Sequence, residues 1–171
     1  MDGRGQIENK LYDIGHSNPS VETKLRELGY ILPNAPKKAG VYMPVKVFAE
    51  KMAYVSGCLP ITDDKLITGK LGADCSMEDG CKAAELCTLN ILAILKEKFG
   101  DLAKIKSCTK MTVLVASTAD FYQQSQIANS ATELLVKAFG EEIGCPSRAA
   151  FGVASLPLNA AVEIELLVEL V

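Results

Sequence analysis

Hydrophobic and polar positions change period several times along this chain, and the changes mark its elements. After Ser20, apolar Val21, Leu25 and Leu28 recur at helical spacing, and Gly29 is placed to stop a short helix. The stretch from Leu32 to Gly40 holds two prolines and reads as a loop. Val45 to Phe48 and Met52 to Gly57 read as strands around a charged turn at Glu50 and Lys51, and residues 65–71 as a third, weaker strand. Ser76 opens the clearest helix. Asp79, three residues on, suggests a capping box with Asp in place of Glu or Gln, and Gly100 closes a broad apolar stripe from Leu86 to Leu95. Ile105 to Ala116 reads as a long strand, and Phe121 to Phe139 as a second long helix ended by Gly140.

The last segment, Ser147 to Val171, is the most informative. Two strand-like runs flank the Leu156-Pro157 pair. In the second run Val162, Ile164, Leu166, Val168 and Leu170 alternate with Glu163, Glu165, Leu167 and Glu169, so one face suits a core. In the first, Ala149, Phe151 and Val153 are expected on the core face, which leaves Arg148 above Ala150, Gly152 and Ala154 on the other. A long guanidinium over small residues leaves room for a ligand and can grip a carboxylate with two hydrogen bonds. The ordinary alternative is a surface arginine paired with one of the strand glutamates. A hairpin turning near Leu158 would set Arg148 opposite Leu167 and Glu163 opposite Gly152. The two then share a face about 13 Å apart, too far for one small ligand within one hairpin.

The order, one short helix and then β-β-β-α-β-α-β-β, predicts an α+β domain with a mixed sheet and two long helices on one face. Residues 19–171 form that single domain, and residues 1–18 read as an N-terminal extension. Composition is ordinary for a globular chain, with 49% apolar and 23% charged residues. A net charge of −3 offers no footprint for nucleic acid, and no apolar run approaches a membrane span. The polar N-terminus lacks a signal-peptide core, so a soluble, cytoplasmic protein is expected. His16 is the only histidine, and the six cysteines form no CxxC pair, so metal sites and histidine triads have little to build from. No P-loop or GxGxxG is present, so no nucleotide cofactor is expected.

Four segments carry a resemblance across residues 20–171: LRELGYILPNAPKKAGVYMPV, YVSGCLPI, the KMTVLVASTADFYQQ region, and SRAAFGVASLPLNAAVEIE. They resemble the YjgF/YER057c/UK114 (Rid) family, in its longer, endoribonuclease L-PSP-like branch. That resemblance implies a chorismate-mutase-like fold in a homotrimer, with clefts between subunits. It also implies hydrolysis of reactive enamines and imines such as 2-iminobutanoate to keto acids and ammonia. The family's arginine falls on Arg148 and its water-positioning glutamate on Glu163. Tyr42, Ser56 and Gly57 match its binding residues, and Asn129 matches a family asparagine once a gap is allowed. The resemblance also places Cys58 and the Ala150 backbone among the substrate-binding positions, with two departures: Ala150 stands where many active members have cysteine, and Cys58 where glutamine is usual.

The residues allow blander roles as well. Tyr42 can simply pack, Ser56 can serve a turn, Cys58 can be an inert thiol, and the glutamates can be a solvated strand face. Three functions are weighed: an imine deaminase acting on small carboxylated substrates, an RNA-cleaving enzyme, and a non-catalytic binder of small carboxylates.

Overall fold

The computed structural model describes residues 19–63 and 65–171, so the segment read as an N-terminal extension lies outside the described residues. Four helices and five strands follow in order: α1 (Val21–Glu27), β1 (Val45–Phe48), β2 (Met52–Cys58), α2 (Met77–Phe99), β3 (Ile105–Ala116), α3 (Gln124–Phe139), α4 (Glu141–Gly144), β4 (Ser147–Val153) and β5 (Val162–Leu170).

The helix ends follow the expected signals. Ser20 caps α1 by accepting from the Thr23 amide, and Ser76 caps α2 by accepting from the Asp79 amide at 3.0 Å. The capping box is altered: Asp79 accepts from the Ser76 hydroxyl at 2.8 Å, because its shorter side chain meets that oxygen. Gly100 and Gly140 leave α2 and α3 with φ of 81° and 86°, left-handed values that glycine adopts without strain. α3 starts three residues later than expected. Phe121 is buried in the core, and the turn behind it is held by the Gln124 side-chain amide, which donates to the Phe121 carbonyl at 2.6 Å.

Residues 65–71 form no strand, which corrects the sequence expectation. Single bridges join Ile61 to Leu66 and Thr68 to Ala160, and the amides of Gly69 and Leu71 donate to Asn159 and Ala116. Scattered partners replace a ladder here, and Gly69 at φ 112° breaks the extended run.

The sheet runs β1-β2-β5-β3-β4, antiparallel throughout except for the β3–β4 pair, which is parallel and joined by the α3 crossover. Val113, Val115, Ile164, Leu166 and Val168 fill its helix-covered face, against Ile91, Leu95, Ile127 and Leu135 from α2 and α3. The other face carries Tyr54, Glu163, Glu165, Leu167, Leu114 and Phe151 and has no layer over it among the described residues. The result is an α+β fold with its long helices on one side, as the element order predicts.

The expected β4–β5 hairpin does not form. β3 lies between the two strands, so the 155–161 connection crosses over it. The register expected across that hairpin falls with it, and so does the assignment of faces in β4. Ala150 packs toward the core, while Phe151 points to the uncovered face and stays 46% exposed. Sequence alternation cannot reveal this reversal, since both faces of the run carry small apolar residues. Among the described residues, no helix is long and apolar enough to cross a membrane.

Candidate functional site

The first half of the site grows from a defect in the sheet. Val55 pairs with Leu166 but Cys58 pairs with Ile164, so β2 carries one extra residue, and the bulge falls on Ser56 and Gly57. A bulge breaks the ladder and re-aims the chain at a site. Glu163 of β5 lays its carboxylate over the Gly57 backbone. A β-carbon on Gly57 would collide with Glu163 Oε1 and sit 2.8 Å from its Cδ, so only glycine leaves that space. The Ser56 hydroxyl donates to the Met43 carbonyl at 2.8 Å, and the Ser56 amide donates to Pro44 at 3.0 Å. These bonds pin the loop that brings in Tyr42. Tyr42, Ser56, Gly57 and Glu163 therefore line one cleft, closed by Ala39, Leu59 and Pro157, with a volume of about 680 Å³ including its open mouth.

Electrostatics suit Glu163 to proton handling. Burial raises its pKa above the ordinary carboxylate value, and neighbouring Glu165 pushes it the same way. A base that holds its proton more tightly also takes one more readily. Cys58 lies beneath, 6% exposed, with its thiol directed to the Ser56 carbonyl. Burial, with Glu163 adding, pushes that thiol up to about 12. It is not a nucleophile at neutral pH. Cys58 is not among the residues lining the Glu163 cleft and lines the neighbouring space with Ile61 and Ile94.

The second half lies at the sheet edge. Arg148 pairs with Met111 and so shares its face, toward the helices. Its guanidinium donates to Thr132 Oγ1 at 2.9 Å, Asn129 Oδ1 at 2.9 Å and the Ser125 carbonyl at 3.4 Å, all on α3. Neutral acceptors hold the cation in place without neutralising it, and no carboxylate among the described residues pairs with it. Asn129, placed from sequence only by allowing a gap, is thus in direct contact with Arg148. Ala150 lies two residues along the same strand, on the same face.

The two halves do not meet in one protomer. Arg148 is level with Met111 and Leu166, on the helix side, whereas Glu163 is level with Leu114 and Phe151, on the uncovered side. The expectation that they share a face is therefore corrected. They differ by three residues along the strands and two strands across, about 14 Å at standard spacings, with the sheet between their side chains.

Several positioning residues went unread in the sequence. Thr132 and Ser125 hold Arg148 but lie on a separate helix. Asn90, fully buried in α2, donates to the Leu59 and Ile61 carbonyls at 3.0 and 2.8 Å and fixes the cleft wall. A lone asparagine within an apolar helical stripe is the signal by which it could have been found. Among the described residues, no three His, Cys, Asp or Glu side chains converge as a metal site would require.

A mixed sheet backed on one face by two long helices defines the fold class, and the comparisons agree with that fold. The chain belongs to the family described as "YjgF/chorismate_mutase-like, putative endoribonuclease", whose model matches residues 22–170. It is 40% identical to Protein TCP17 of Trypanosoma cruzi over 151 residues, covering 88% of this chain and 94% of that one. Reactive Intermediate Deaminase A, chloroplastic, of Arabidopsis thaliana is 31% identical over 131 residues, covering 77% of this chain and 59% of that protein. Among solved structures, one described as a putative endoribonuclease from Shewanella oneidensis superposes with a TM-score of 0.84 at 30% identity, covering 89% of this chain and all of that one.

Proposed function

We propose that this protein is an enamine/imine deaminase, hydrolysing small 2-imino acids to 2-keto acids and ammonia in clefts between the subunits of a homotrimer. The observation that carries the reading is the split site. A carboxylate-gripping cation and a desolvated glutamate stand on opposite faces of one sheet, so each needs a complement from another copy. Around a closed three-fold ring, the edge of one subunit would face the cleft of the next, and every copy would contribute to two sites.

Arg148 of one subunit binds the substrate carboxylate through its paired N–H groups, pre-oriented by Thr132 and Asn129. The imine carbon then lies over the neighbouring subunit's Gly57. Glu163 accepts a proton from a water as its oxygen attacks that carbon, giving a carbinolamine. Glu163 returns the proton to nitrogen; as the C–N bond breaks, the carbinolamine hydroxyl gives its proton to the Glu163 carboxylate, so the keto acid and ammonia leave. The uncatalysed reaction already proceeds in water, so positioning and one acid–base group suffice. The likeness to Reactive Intermediate Deaminase A supports this chemistry. RNA cleavage, which the names of other relatives suggest, has no pair of histidines to act as acid and base, since the sequence holds His16 alone.

The test is the decay of enzymatically generated 2-iminobutanoate with the wild type, Arg148→Ala and Glu163→Gln. Acceleration that is lost in both variants is expected. A wild type that binds 2-oxobutanoate without accelerating decay would make the cleft a carboxylate-binding site only.

A further inference from the structure

We propose that the cleft is built for a dicarboxylic substrate, whose side-chain carboxylate is held by Lys37 and Lys38. This rests on the deaminase reading for the reaction, but on separate residues for the specificity. The cleft above Gly57 adjoins a second compartment of about 550 Å³ with its opening included, and the two share Ala39, Tyr42, Ser56, Gly57 and Leu59 in their linings.

Charge is placed unevenly between the two compartments. Lys37 and Lys38 are the charged residues lining the second compartment, and Glu163 is the charged residue lining the first. The remainder of the second compartment is largely apolar, with Ile61, Ile94 and Leu158 in its lining. Among the described residues, no carboxylate forms an ion pair with either lysine. Two exposed ammonium groups beside an apolar lining favour an anion there, through an attraction of the strength exposed ion pairs show.

The rim is also shaped locally. Leu158, which lines the lysine compartment, has a φ of 57°, an uncommon conformation for leucine. Pro36 fixes the chain entering the lysine pair, and the Ser56 bond to Met43 fixes the chain after it. The walls of this compartment are thus constrained on both sides. A substrate with its 2-carboxylate on the neighbour's Arg148 and its imine carbon at Glu163 would direct its side chain toward the lysines. A second carboxylate there makes a new contact; a short alkyl group makes none.

The experiment compares wild type with Lys37→Gln/Lys38→Gln, a change at two exposed positions that leaves the core intact. Calorimetric binding of 2-oxoglutarate and 2-oxobutanoate is measured alongside kcat/KM for 2-iminoglutarate and 2-iminobutanoate. The wild type is expected to bind 2-oxoglutarate up to about fivefold tighter, as one exposed ion pair gives. The variant should lose that preference through weaker binding of the diacid alone. Equal wild-type affinities, a preference that survives the double substitution, or equal weakening of both ligands would each overturn the proposal; the last would reduce the lysines to general attraction of anions. A binding preference that behaves as expected without imine hydrolysis would sustain the dicarboxylate site and refute the deaminase. Equal hydrolysis of both imines with equal affinity for both keto acids would do the reverse.

Discussion

Replacing Gly57 with alanine is expected to abolish catalysis while leaving the fold nearly unchanged. The new methyl group would collide with Glu163 Oε1 and sit 2.8 Å from Cδ and 3.1 Å from Cγ, so the carboxylate has to swing away from the bulge. The colliding atoms are the far end of a flexible side chain, and forcing them off their preferred rotamer costs ~1 kcal/mol. Gly57 does not have a positive φ, so alanine fits the backbone there and restricts the unfolded chain, worth ~0.4–1 kcal/mol in the opposite direction. The net change in stability is therefore within about 1 kcal/mol of zero. Activity is a different matter. If Glu163 positions and deprotonates the water, its displacement removes a general-base contribution of about 10²–10⁴ in rate. The assay is kcat/KM for imine hydrolysis with urea denaturation in parallel, on Gly57→Ala, Glu163→Gln and the double variant. Because both changes disable one group, the double variant should be no slower than the slower single variant. Full activity in Gly57→Ala, or losses that multiply in the double variant, would refute the assignment of Glu163 to the reacting water.

Two further outcomes follow from the same geometry. Burial and Glu165 raise the pKa of Glu163, so the native state holds that proton to higher pH than the unfolded chain does. Stability is therefore lost as pH rises from the ordinary glutamate value, about 4.3, through the raised one. Glu163→Gln should then be more stable than wild type at pH 7 and match it near pH 4 in paired thermal melts; a variant less stable at pH 7 would contradict the shift. Asn90→Ala should destabilise by about 2–3 kcal/mol in urea unfolding, since it strands the Leu59 and Ile61 carbonyls that line the cleft, and it should raise KM more than it lowers kcat. An unaffected KM would separate Asn90 from the site.

The sequence disclosed what is local and hid what is paired at a distance. Ser20, Ser76, Gly100 and Gly140 mark helix ends because capping is decided within a few residues. Glu163 on the face opposite Ile164 and Leu166 was legible because β5 is apolar on one side only. β4 was not, because Arg148, Ala149, Ala150 and Phe151 give no strong alternation, and its neighbour is set by the α3 crossover rather than by the next strand. The placement of Arg148 and Glu163 on opposite faces depends on that pairing. Gly57 within a strand was a signal of the bulge, since glycine there marks a ladder break or a close approach. The acceptors around Arg148 lie 16–23 residues earlier, beyond the reach of periodicity.

Mixing two inactive variants tests the shared cleft most directly. Arg148→Ala subunits keep Glu163, and Glu163→Gln subunits keep Arg148. After equimolar denaturation and random reassembly, about three-quarters of the trimers contain both kinds, and each of these has one complete cleft in three, so about a quarter of wild-type activity should return. Recovery at that level, absent when either variant is refolded alone, is the predicted result. No recovery, with mixed assembly verified by native mass spectrometry, would contradict a site in which one subunit's Arg148 serves the next subunit's Glu163.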